Sequence, residues 1–144
     1  MAGSIAEGGM TFTWAHAGGR LRGTLTAPTR GWLAVGFNDA RSLEGTRFVI
    51  AAVAGSASVA EVHVALVPEH APIEALGGRS GLADVAGMFM GGMSRAAFSL
   101  PEVGGAPYAA DLRAGARTHL MLAWSHGPEF EHHSAWRGHF DVVL

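Results

Sequence analysis

The sequence contains no cysteine and no lysine. Without cysteine the chain forms neither disulfides nor thiolate metal centres, and a cysteine nucleophile is excluded. The same absence leaves the redox compartment open. Without lysine there is no amine for Schiff-base chemistry. All ten basic residues are Arg, which we read as a bias of coding composition. Charge is sparse as well: 15% of the residues are charged and the net charge is −2. With no basic face, the chain is not an electrostatic nucleic-acid binder. Every apolar run falls far short of the roughly 18 residues a membrane span requires. There is no Gly-x-Ser-x-Gly elbow, phosphate-binding glycine loop or dinucleotide fingerprint. Glu129 and Glu131 lie too close along one segment to face each other across a sugar as a glycosidase pair. With these signatures missing, the chain is not expected to be an enzyme in its own right.

What is present suits one folded domain. The chain has 144 residues, of which 49% are hydrophobic, enough to bury a core without covalent staples. Residues 1–9 are small and lack the charged and apolar regions of a signal peptide, so they read as a flexible N-terminal segment before a domain spanning 10–144.

Within that domain, short alternating segments follow one another. Met10 to Ala15 carries Phe12 and Trp14 in alternation, and Leu21 to Thr26 alternates Leu21, Gly23 and Leu25 with polar residues. Gly31-Trp32-Leu33-Ala34-Val35-Gly36-Phe37 is a continuous apolar run, which predicts a strand buried on both faces. Thr46 to Ala54 and Val59 to Val67 flank a turn signal at Gly55-Ser56-Ala57-Ser58. Pro68 to Gly81 reads as a long loop. Leu82 to Met90 and Met93 to Leu100 flank Gly91-Gly92, a hairpin signal. Pro101 to Ala116 is a long connection, and Thr118 to Ser125 and Ser134 to Leu144 are the last strands. No helix has both a start and a stop signal, and no repeat occurs. The pattern predicts an all-β sandwich or barrel.

The chemistry concentrates near the C-terminus, in Glu131-His132-His133-Ser134-Ala135-Trp136-Arg137-Gly138-His139-Phe140. Two adjacent imidazoles stand there at the mouth of the last strand, and imidazole both ligates metals and titrates near neutral pH. A histidine pair at a strand edge is also an ordinary solvated loop end. His63, His119 and His139 fall inside strands and read as structural or solvent-facing, and Trp32, Trp124 and Trp136 as core aromatics. The tip Met88-Phe89-Met90-Gly91-Gly92-Met93 either packs beneath a neighbouring hairpin or forms an exposed contact for a partner or lipid surface.

Gly31 to Asn38, followed by a loop and Leu43-Glu44-Gly45-Thr46-Arg47-Phe48-Val49-Ile50, resembles the DOMON domain family. So do Leu112-Arg113-Ala114-Gly115 leading into Leu120-Met121-Leu122-Ala123-Trp124, and the ending with His133, Arg137-Gly138 and Phe140. The match runs from about residue 10 to the end and resembles a bacterial-type single-domain member. It implies a two-sheet antiparallel β-sandwich of about ten strands, usually periplasmic or extracellular. Some members, such as the cytochrome domain of cellobiose dehydrogenase, hold haem b between the sheets at one end and transfer electrons. Others are thought to bind sugars or other small ligands without haem. In haem-binding members the axial ligands are a Met after the Gly-Trp strand and a His at the start of the last strand. The His carries over onto His133; the Met position is Leu43, which cannot ligate iron.

If successive strands run up and down, the Asn38–Gly45 loop marks the end where haem would sit, and His16 and His70 fall there. The family pattern adds the His126–His133 junction to that end, while Met88, Met90 and Met93 lie at the other. His16, His70, His126, His132 and His133 then share one rim. This supports haem b with a second axial imidazole from His70, or a compact site for another His-ligated transition metal. Alternation along the last strand puts His132, with Trp136 and Phe140, on the inward face, whereas the family match favours His133; a bulge would remove the conflict. Leu43, Trp32 and Phe37 would form the apolar wall of a cofactor site. The expected function is a haem b or metal-binding module serving a redox partner protein. The alternative is a haem-free module for a sugar or small-molecule ligand.

Overall fold

The computed structural model describes residues 2–54, 57–105, 107–108 and 110–144. The turn signal at Gly55-Ser56 and two alanines of the long connection, Ala106 and Ala109, lie outside the described residues. The described residues form eleven strands in two antiparallel sheets, a β-sandwich as expected. The strands are β1 Ala2–Glu7, β2 Met10–Ala17, β3 Arg20–Ala27, β4 Leu33–Asn38, β5 Arg47–Ala54 and β6 Ala57–Ala65. They continue with β7 His70–Pro72, β8 Ala83–Met90, β9 Met93–Pro101, β10 Arg117–Trp124 and β11 Trp136–Val143. One sheet has the order β1-β2-β3-β9-β8, the other β11-β10-β4-β5-β6-β7. Among the described residues no helix is long and apolar enough to cross a membrane.

Alternation builds the core. Phe12, Leu21, Leu25, Phe98 and Leu100 of the first sheet pack against Leu33, Val35, Phe37, Val49, Val64, Leu120 and Leu122 of the second. Phe12 stacks on Phe98 at 6.4 Å between centroids and meets the edge of Phe37 at 6.2 Å. Trp136, Phe140, Val142 and Leu144 turn to the same interior. At the β8–β9 hairpin, Gly91 and Gly92 have φ of 60° and 79°, the paired left-handed conformation that such a tight turn demands.

Three segments differ from the sequence expectation. The first residues, expected to be flexible, form β1, whose Ala2–Glu7 pairs with Met10–Ala15. A loop expected over residues 68–81 contains β7, paired to β6, and a single 3-10 turn at Ile73–Leu76 that buries Ile73. The last strand begins at Trp136, so residues 125–135 are a connection to which strand alternation does not apply.

The second sheet is apolar on both sides. Beside the interior core, Trp32, Ala34, Phe48, Ile50, Ala65, Met121 and Ala123 form a separate buried cluster on its outer face, against which Leu43 and Phe130 pack. A sheet buried on both faces in a two-layer fold needs a further cover. The Leu43 loop and the 125–135 connection supply it.

Candidate functional site

A concavity of about 620 Å³ opens on this outer face. Its size is typical of a small-molecule or cofactor site. The floor is built from alternate residues of three strands. Ala34 of β4 and Ala123 of β10 lie directly opposite each other, and Ile50 of β5 is opposite Ala34 on the other side. The two alanines leave space where larger side chains would fill it, and Trp32, Phe48 and Met121 complete an apolar lining. Polar groups enter from two sides. One is the corner between β6 and β7, with Val67, Pro68, Glu69 and His70; the other is Glu131, His132, His133 and Ser134 with Arg137 of β11.

The 125–135 connection is fastened to the start of β4. The Ser125 amide donates to the Trp32 carbonyl at 2.9 Å, and the Trp32 amide donates to the Gly127 carbonyl at 3.1 Å. The Trp32 indole Nε1 donates to the His132 carbonyl at 2.9 Å, and Ser125 Oγ donates to the His133 carbonyl at 3.0 Å. Both histidines thus have their backbone pinned, while their side chains are exposed at the edge of the concavity.

His70 belongs to a hydrogen-bonded chain. Its Nδ1 lies 2.8 Å from His63 Nδ1, and His63 Nε2 lies 2.8 Å from Glu61 Oε1. The His63 side chain is only 6% exposed, with Phe48 and Phe130 against its ring, whereas Glu61 is 46% exposed. Burial foremost, and then the neighbouring His63, hold the His70 imidazole below its ordinary pKa.

The candidate residues divide clearly. His70, His132, His133, Leu43 and Trp32 line one concavity. Phe37 does not: it points between the sheets and is 2% exposed, within the interior core. His126 lies edge-on to Trp124 at 5.3 Å, and His16 is bonded through Nδ1 to Glu102 at 2.9 Å; neither lines the concavity. Among the described residues no three His, Cys, Asp or Glu side chains are grouped to hold a metal ion, so the five histidines do not form a common cluster.

The reason is register. β10 runs antiparallel to β4, with His119 opposite Asn38 and Trp124 opposite Leu33. The β10–β11 connection therefore leaves from the end of β4 away from the Asn38 loop. It reaches the concavity by lying back over the sheet, with Phe130 5.8 Å from the His63 ring. The site is consequently on an outer sheet face and not between the sheets at one end. Sequence reasoning missed Met121, Phe48 and Arg137 among the lining residues, and Glu61 and His63 behind His70. The usable signal was the run of residues buried on both sides in β4, which announces a second apolar face.

No family model and no curated protein sequence matches the chain. Its fold, however, is that of the cytochrome b domains of sugar dehydrogenases. The cytochrome domain of cellobiose dehydrogenase from Myriococcum thermophilum superposes with a TM-score of 0.72 at 11% identity, over 99% of this chain and 81% of that one. The cytochrome b domain of pyranose dehydrogenase from Coprinopsis cinerea gives a TM-score of 0.68 at 10% identity, over 93% of this chain and 76% of that one.

Proposed function

We propose that this chain is a haem b-binding electron-transfer module with its cofactor in the outer-face concavity. The observation that carries the reading is the approach of imidazoles from two sides of one apolar cavity, His70 from the β6–β7 corner and His132-His133 from the β10–β11 connection. The residues fit the group. The small Ala34 and Ala123 side chains leave room on the floor between the two imidazole-bearing walls, and neutral imidazoles suit iron. Leu43 and Trp32 form the wall, and Arg137 supplies a cation for a propionate carboxylate. In this reading His70 and His133, with His132 as the alternate to His133, would hold the iron. Leu43 stands where the family resemblance places a methionine and cannot ligate iron, so both residues holding the iron would be histidines. Bound haem would supply one-electron chemistry, its potential set by ligand type and burial. The resemblance supports a periplasmic or extracellular setting and a redox partner protein. Met88 and Met90, 50% and 69% exposed, offer that partner an apolar contact.

The test is an absorption spectrum of the purified chain, titrated with hemin, in oxidised and reduced forms. A sharp Soret band with resolved α and β bands on reduction is expected. Low-spin character should be lost in His70→Ala and in one of His132→Ala and His133→Ala. A broad spectrum of loosely adsorbed porphyrin would reject the reading. A haem-free ligand module is then the second reading, favoured by Leu43, and a sugar and aromatic-ligand screen with Ala34→Leu as the blocked control would test it.

A further inference from the structure

The chain Glu61–His63–His70 runs from solvent to the edge of the concavity, and its hydrogen atoms can be counted. A carboxylate only accepts hydrogen bonds, so His63 must carry its hydrogen on Nε2, facing Glu61 Oε1 at 2.8 Å. A neutral imidazole has one N–H, which leaves His63 Nδ1 as a lone pair. The contact of 2.8 Å between His63 Nδ1 and His70 Nδ1 then requires the hydrogen on His70 Nδ1. His70 has no second hydrogen to give.

We propose that Glu61 and His63 are positioning residues that lock His70 in its Nδ1–H tautomer, so that its lone pair is on Nε2. Metal-bound histidines usually donate their other N–H to an acceptor, which fixes the ring and raises its basicity. Here that acceptor is a second histidine, itself set by a carboxylate. The geometry is built for it. Glu61 and His63 stand two residues apart on one face of β6, and β7 brings His70 beside them through the Ala65–His70 pairing. Phe48 and Phe130 wrap the two rings, with Phe48 5.7 Å from His63 and 5.3 Å from His70. The reverse arrangement, with His70 donating from Nε2 to the nearby Phe130 carbonyl, requires a third proton on the imidazole pair, one more than two neutral rings carry. The tautomer assignment stands on the hydrogen-bond chain alone; its use toward iron rests on the proposed function.

Long-range proton–nitrogen NMR correlations on the hemin-free chain, recorded at about pH 8 where free imidazole is neutral, read the tautomer directly. The wild type is expected to show His70 with hydrogen on Nδ1. In His63→Phe, which removes the acceptor, and Glu61→Ala, which frees His63 to carry its hydrogen on Nδ1, the Nε2–H form should grow. His70 found as Nε2–H in the wild type would overturn the proposal, as would a tautomer unmoved in both variants. If His63→Phe does not fold, Glu61→Ala decides alone. Hemin titration separates the two readings. If the wild type binds hemin, Glu61→Ala should weaken it about 10- to 100-fold while keeping the fold. If the wild type does not bind hemin, the cofactor reading fails and the tautomer result still stands.

Discussion

His119 and His139 share the outer sheet face with the candidate site but serve each other. Their rings stack with centroids 5.2 Å apart, and His119 Nδ1 lies 2.9 Å from Asp141, which also meets Arg41 at 2.6 Å. Burial first, then Arg137 and His119, lower the pKa of His139. The folded chain therefore binds this proton less readily than the unfolded one, and stability is fully present above the ordinary imidazole pKa of about 6.5. It falls as pH drops from there through the lowered value. His70 is shifted the same way and adds to the same window. Asp141, lowered chiefly by its bond to His119, contributes with the opposite chemistry: its share persists until the pH falls below the usual aspartate value of about 3.9. Urea unfolding midpoints should thus decline between about pH 7 and pH 5, and His139→Asn should flatten part of that decline. An unchanged slope in the variant would remove His139 from the account. At this scale the sequence was half legible. His70, His132 and His133 were visible because loop ends collect polar groups. Glu61 and His63 were not, because a histidine within an alternating strand looks the same whether it faces water or a partner.

Elements carry the site through one joint, where β4 begins and β10 ends. Thr29 Oγ donates to the Ser125 carbonyl and accepts from the Gly31 amide at 2.8 Å, so the two chain segments meet backbone to backbone. A Cβ on Gly31 would sit 1.9 Å from the Ser125 carbonyl oxygen and 2.7 Å from the His126 carbonyl carbon. Those are backbone atoms, which cannot step aside as a flexible side chain can. Gly31→Ala should therefore push the 125–135 connection off the sheet, with a stability loss of about 1–3 kcal/mol by urea melts. Hemin affinity should fall with it; a variant with unchanged stability would mean that the connection is not anchored there. The strands themselves were readable from alternation and glycine turns. The connection was not, since it has neither period and is held by backbone bonds to residues about a hundred positions away. β1 and β7 were missed for a related reason: each is short and is stabilised by the edge it completes rather than by its own pattern.

The whole molecule has two apolar compartments separated by one sheet, and adjacent residues belong to different ones. Leu122 of β10 is fully buried between the sheets, while its neighbour Ala123 lies on the floor of the concavity. Leu33 and Ala34 divide in the same way on β4. The interior compartment joins all the long strands, so it sets global stability; the outer one is covered by Leu43, Phe130 and the 125–135 connection. The two should therefore separate under mutation. Leu122→Ala removes packing between the sheets and should cost about 2–5 kcal/mol, seen as a large fall in the urea midpoint. Ala34→Leu places side-chain volume in the open concavity and should leave the midpoint within roughly 1.5 kcal/mol while abolishing ligand binding. Measuring both variants by urea unfolding and hemin titration gives two independent readouts. If Ala34→Leu unfolds the chain as readily as Leu122→Ala, the outer compartment is part of the structural core. If it binds as the wild type does, the ligand sits elsewhere. Only the separated pattern, fold lost in one and binding lost in the other, fits a sandwich that keeps its functional cavity outside its own core.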